Sequence, residues 1–113
     1  MQVVAYSTIV IHLMERSGFV MISADKYIYK LNEIDELTIF VDANGMICVR
    51  FANYDIKDGC VIRSAIGRGT SLLFALQNFV KEISGQTLIN IRNDESNKEV
   101  RVLIIETGVK CDI

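Results

Sequence analysis

Arginine, asparagine and glycine supply the binding chemistry that can be read from this chain. Gly67-Arg68-Gly69-Thr70-Ser71 stands where a strand-like run gives way to an amphipathic helix. Open backbone N–H groups at such a junction, the positive end of the helix dipole and the Arg68 guanidinium together suit a phosphate or a carboxylate. The run is not a P-loop, because no Gly-Lys-Ser/Thr follows. The same letters also make an ordinary strand-to-helix corner with a solvated arginine, and that plainer role is the commoner one.

A second set of groups lies toward the C terminus. Alternation along Thr87–Arg92 puts Ile89 and Ile91 on one face and Asn90 and Arg92 on the other. On the returning strand, Glu99–Thr107, residues Val100, Val102 and Ile104 then face the core, which leaves Arg101 on the side of Asn90 and Arg92. With Asp94 between the strands, the set offers cations for phosphate and polar groups for a base edge or ribose hydroxyls. Phe74 and Phe79 are the nearest aromatics in sequence and would stack on a ring or wall the pocket. The plain alternative is a solvent-facing strand with polar cross-strand pairs. The candidate ligand-binding residues are therefore Arg68, Gly69, Phe74, Phe79, Asn90, Arg92, Asp94 and Arg101.

No residues assemble into an active site. The single histidine, His12, lies in an apolar run with no nucleophile beside it. Asp35, Glu36, Asp42, Asp55 and Asp58 fall at turns, where short polar side chains are expected anyway, and nothing pairs them as acid and base. Cys48, Cys60 and Cys111 are odd in number and widely spaced, without the close pairs of a structural zinc site or a positioned base for a thiol nucleophile. The reading is of a protein that is not an enzyme and uses no metal or cofactor.

The elements that would position these groups are mostly strands. Leu37–Asp42 alternates, Asn44-Gly45 supplies a positive-φ turn, and Met46–Tyr54 returns. Asp58-Gly59 turns the chain into Cys60–Ile66. A helix runs from about Ser71 to Ile83, with Thr70 or Ser71 as N-cap and Gly85 just past its end. Leu72, Leu76, Phe79, Val80 and Ile83 share its core face, while Phe74 points elsewhere, beside Gln77, Asn78 and Lys81. Thr87–Arg92 and Glu99–Thr107 form a hairpin over the polar loop Asn93–Lys98. The first element reads two ways: Val3–Ile11 is rich in β-formers, yet Thr8, His12, Glu15 and Arg16 form a polar stripe at helical spacing. The strand reading is preferred, turning at Ser17-Gly18 and pairing back with Phe19–Leu31. The fold class is α+β, a mostly antiparallel β-sheet with one main amphipathic helix packed on it.

At 113 residues the chain is read as a single domain spanning 1–113. Its 50% apolar content is high for a small domain and points to subunit contacts, hence to a homo-oligomer. A net charge of −2 argues against a dedicated nucleic-acid binder, which needs clustered Lys and Arg. Met1–Met14 lacks a basic leader region and a small-residue cleavage site, and no run is long enough to span a membrane. Unpaired cysteines fit a reducing compartment, so a cytoplasmic location is expected.

The order of a strand, Gly67-Arg68-Gly69-Thr70, a helix, Ile83-Ser84-Gly85 and a Thr87-Leu88-initiated strand resembles a pattern in short phage-encoded accessory proteins. Within that group it is similar to the phage anti-defence sponge proteins that counter the Thoeris immune system. The resemblance implies a non-enzymatic homo-oligomer in the host cytosol that sequesters a cyclic ADP-ribose signal in pockets between subunits. The site residues above come from the residues themselves and not from that resemblance. A hairpin followed by a Thr/Ser-started, Ala-containing helix also resembles the sheet-plus-helix fold of the HicB antitoxins, which implies a protein-interaction module. The chain departs from those antitoxins in having Leu72-Leu73-Phe74 where they carry acidic residues, and in adding no DNA-binding segment.

Overall fold

The computed structural model describes residues 7–14, 23–92 and 99–107, with side chains described over 23–92 and 99–104. The order of elements is β1 (Ser7–Met14), α1 (Ala24–Leu31), β2 (Leu37–Val41), β3 (Ile47–Phe51), β4 (Tyr54–Asp58), β5 (Val61–Arg63), β6 (Gly67–Gly69), α2 (Leu72–Ile83), β7 (Thr87–Asn90) and β8 (Glu99–Thr107). They make an α+β fold dominated by sheet: a five-stranded sheet in the order β1-β8-β7-β4-β5 and a three-stranded sheet in the order β2-β3-β6. Every pairing is antiparallel except β1 with β8, which is parallel.

Local chemistry fixes the main helix. The Ser71 hydroxyl accepts from the Phe74 N–H at its start, and Gly85, at φ +77°, lets the chain leave its end while donating to the Val102 carbonyl. Ala75, Leu76, Phe79, Val80 and Ile83 are buried and Leu72 packs against the core from its edge. They meet Phe51, Ile56, Leu88, Val100 and Val102 from the sheets. The two hairpin turns carry positive φ at Gly45 and Gly59, as Asn-Gly and Asp-Gly turns require.

The N-terminal third corrects the sequence reading. Ala24–Leu31 is a helix and not a returning strand: the Ser23 hydroxyl caps it by accepting from the Lys26 N–H, and Ala24, Tyr27, Ile28 and Leu31 turn to the core at helical spacing. β1 is a strand, but its partner is β8, running from Ser7 beside Val100 to Met14 beside Thr107. The turn expected at Ser17-Gly18 and the segment 19–22 lie outside the described residues, as do Asp94 and Cys111.

Candidate functional site

The glycine-arginine-glycine run is a packing device. β6 lies directly beneath α2, and a Cβ on Gly67 would strike the Ala75 carbonyl and the Phe79 backbone, while one on Gly69 would strike Ala75 and Phe74. Neither glycine has positive φ, so what each supplies is the absence of a side chain. At the helix start the Phe74 N–H bonds the Ser71 hydroxyl and the Ala75 N–H bonds the Ser71 carbonyl, so two of the amides that could meet an anion are taken. Gly69 itself is buried against α2 at Phe74 and Ala75. Arg68 points the other way and is exposed, with its Nε 3.7 Å from Asp42 Oδ2; its carbonyl accepts from Asn78 Nδ2 at 2.6 Å.

Phe79 is a second correction. It is wholly buried and meets Phe51 edge to face, with ring centroids 5.0 Å apart, so no ligand reaches it. Phe74 is exposed on α2, as expected.

The C-terminal strands do not form one recognition face. Thr87 pairs with Arg101 and Leu88 with Val100, so Arg101 shares a face with Thr87 and Ile89, whereas Asn90 shares the opposite face with Leu88 and Val100. The expectation failed because Leu88 and Ile89 are both buried, and a strand covered on both faces loses the alternation that reports its orientation. Arg92 lies beyond the end of β7, where its N–H bonds Asn90 Oδ1 at 2.8 Å and its Nε donates to the Ala52 carbonyl at 3.2 Å.

That last bond carries Arg92 to a different surface. The corner between β3 and β4 is held by Asp35, whose carboxylate accepts from both the Asn53 N–H and Asn53 Nδ2, at 2.8 and 2.9 Å. The Asn53 carbonyl in turn accepts from the Ile91 N–H at 2.8 Å. This chain of bonds sets Arg92 beside the outer face of the small sheet. There the register places Thr38 opposite Arg50 and Phe40 opposite Cys48, with Arg68 next in the Phe40 row. Thr38, Phe40, Arg50, Phe51, Ala52 and Arg92 line an open concavity of about 300 Å³.

Two guanidinium groups and an aromatic ring thus meet at one hollow. Arg50 is half-buried and steadied by buried Asp55, with Nη2 3.4 Å from Oδ1, an oxygen that also accepts from the Ala65 N–H. Arg92 is exposed. At the far end of the face, the hydrogen bond from the Met46 N–H, with smaller help from Asn44, Arg68 and Cys48, holds the Asp42 carboxyl below its ordinary range against the effect of burial. Such a face suits a flat anion with a ring: arginine forks bind phosphate oxygens and Phe40 offers a stacking surface. Sequence reasoning found Arg92 and missed Thr38, Phe40 and Arg50. The signal was present, since the alternation of the Asn44-Gly45 hairpin already puts those three on one face. Among the described residues, no group of three or more His, Cys, Asp or Glu side chains is placed to hold a metal ion, and no helix is long and apolar enough to cross a membrane.

Comparison with protein-family models, with curated proteins and with solved structures returns no match for this chain.

Proposed function

We propose that this protein binds and holds a small phosphate-bearing, nucleotide-derived molecule of the cyclic ADP-ribose type without turning it over. In that role it acts as an anti-defence sponge in the cytoplasm of a phage-infected host. The observation that carries the reading is the convergence of Arg50, Arg92 and Phe40 on one concavity, two cations for phosphate and a ring for a base. Its volume of about 300 Å³ stands at the small end of ligand sites, so one chain grips part of a nucleotide and leaves part of it exposed. Self-association belongs to the same reading, supported by the high apolar content and by exposed Ile39, Phe40, Val41 and Phe74.

Those exposed apolar side chains also favour a second reading, a protein-interaction module of the antitoxin type. The two separate by experiment. Mass spectrometry of small molecules released from the purified protein, followed by calorimetry against cyclic ADP-ribose and cyclic dinucleotides, tests the first. Wild-type protein that carries and binds none of them leaves the interaction module. Recovery of a hydrolysed product would overturn the non-catalytic part.

A further inference from the structure

Among the described residues, β2 is an edge strand whose outer side pairs with no other strand. The Ala52 N–H bonds the Glu36 carbonyl at one end of the β2–β3 ladder, and the Asp42 N–H bonds the Met46 carbonyl at the other. Bonded pairs alternate along an antiparallel ladder, so Thr38 and Phe40 turn their backbone groups inward to β3 while Leu37, Ile39 and Val41 turn theirs outward. The Leu37 N–H confirms the direction, since it is taken by Asn32 Oδ1 at 3.2 Å and not by β3. Ile39 and Val41 have no such partner among the described residues.

This edge also lacks the usual guards. Leu37-Thr-Ile-Phe-Val41 contains no charge and no proline, and Ile39, Phe40 and Val41 are 45%, 38% and 65% exposed. The opposite edge of the same sheet, β6, is three residues long, carries Arg68 at its centre and lies under α2.

We infer that β2 pairs antiparallel with β2 of a second copy of this chain, about a two-fold axis through Phe40, joining the two three-stranded sheets into one. The register follows from the same observations. Pairing Ile39 with Val41 of the second copy, and the reverse, satisfies all four open N–H groups and their carbonyls, and leaves the Leu37 N–H with Asn32. A two-fold through Ile39 would instead demand that blocked N–H and would set Glu36 against Asp42 of the other copy, twice, as facing like charges. The axis through Phe40 removes that clash. Asp42 then faces Thr38 of the other copy, in the row that begins with Arg50, so opposite charges share a row about 9–10 Å apart by strand spacing. The two Phe40 rings meet at a non-hydrogen-bonded position, where facing side chains come closest. A contact made by one short strand edge of each copy is a small interface, so the dimer is expected to be reversible and concentration-dependent.

The inference rests on the self-association in the proposed function and not on the ligand, so the test is run without ligand. Sedimentation of the full chain across micromolar to submillimolar concentrations should move from 12.7 kDa toward twice that mass. Val41→Lys should hold the monomer mass at every concentration with an unchanged melting curve. In a chain with Cys48, Cys60 and Cys111 replaced by alanine, since Cys48 faces position 40 within the same chain, Phe40→Cys should give an oxidised dimer whose 40–40 disulfide is mapped by peptide mass spectrometry, because facing non-bonded positions lie within disulfide reach, whereas Thr38→Cys should give none. A 38–40 link from mixed variants in preference to 40–40 would overturn the register. A folded Val41→Lys that still dimerises, with Phe74→Glu the variant that dissociates, would move the interface to α2. A wild type that stays monomeric throughout removes self-association altogether, and calorimetry still decides the ligand reading separately.

Discussion

Replacing Gly67 by alanine separates the two roles that the Gly67-Arg68-Gly69 run can play. The backbone at Gly67 has no positive φ, so alanine meets no conformational penalty there, and any cost arises from space. The added Cβ would overlap the Ala75 carbonyl oxygen, the Phe79 nitrogen and the Phe79 Cβ. Real Cβ contacts of this kind lie beyond about 3.4 Å, so α2 must rise from β6 by roughly 1 Å. Two of the three obstructing atoms are backbone, which cannot swing aside as a side-chain tip would. Overpacking costs typically about 1–3 kcal/mol, and a rigid helix puts this case at the upper end. In a domain of this size that lowers the melting temperature by roughly 10 °C. Gly69→Ala should cost less, because its overlaps are shallower, with Ala75 N, Phe74 Cβ and the Phe74 carbonyl carbon at 2.5, 2.7 and 2.9 Å from the added Cβ. Urea unfolding followed by circular dichroism gives both values, with the m-value reporting whether the native state has loosened. Gly67→Ala within about 0.5 kcal/mol of wild type would refute the packing argument. Gly69→Ala that keeps its stability but loses ligand binding would restore the anion cradle.

Arg92→Ala should weaken binding of cyclic ADP-ribose by roughly ten- to a hundred-fold, the loss of one or two charged hydrogen bonds, at a stability cost under about 1 kcal/mol; calorimetry and melting curves read the two. Arg101→Ala, on the other face of the sheet, should leave that affinity unchanged in the same titration. Phe79→Ala should destabilise the fold by about 3–5 kcal/mol through the cavity left beside Phe51, measured by urea unfolding. The lowered Asp42 carboxyl predicts a pH dependence of definite sign. The folded protein holds that proton less tightly than the unfolded chain, so the turn gains stability above the ordinary value of 3.8 and loses it as pH falls through the lowered one. The melting difference between wild type and Asp42→Asn should therefore be larger at pH 6 than at pH 3.

Local signals carried the parts of the fold that local chemistry decides. Ser71 and Gly85 bound α2 because a cap and a positive-φ exit are short-range requirements, and Gly45 and Gly59 mark turns for the same reason. α1 escaped because Tyr27, Ile28 and Tyr29 are good strand formers, and tertiary burial of Tyr27 and Leu31 overrode that preference. The parallel pairing of β1 with β8 joins the two ends of the chain, and no short-range rule speaks to it.

The site was half legible for a related reason. Alternation places Arg92 and Arg101 on a face, and it holds only where one side of a strand meets water. Thr38, Phe40 and Arg50 obey it on the outer side of the β2–β3 hairpin, although Cys48 in the same face is buried. β7 does not, and Asn90 and Arg101 were placed together when the ladder sets them on opposite faces. Arg92 reaches the concavity by another route, because Asp35, Asn53 and Ile91 tie three separated segments into one corner and deliver its guanidinium to Ala52. The cation that joins Arg92 is therefore Arg50, from a hairpin some forty residues earlier. The test of that pairing is a double-mutant cycle of Arg50→Gln and Arg92→Ala against cyclic ADP-ribose. A shared phosphate makes the two losses non-additive, by about 0.5 kcal/mol or more, and simple additivity would assign the arginines to separate tasks.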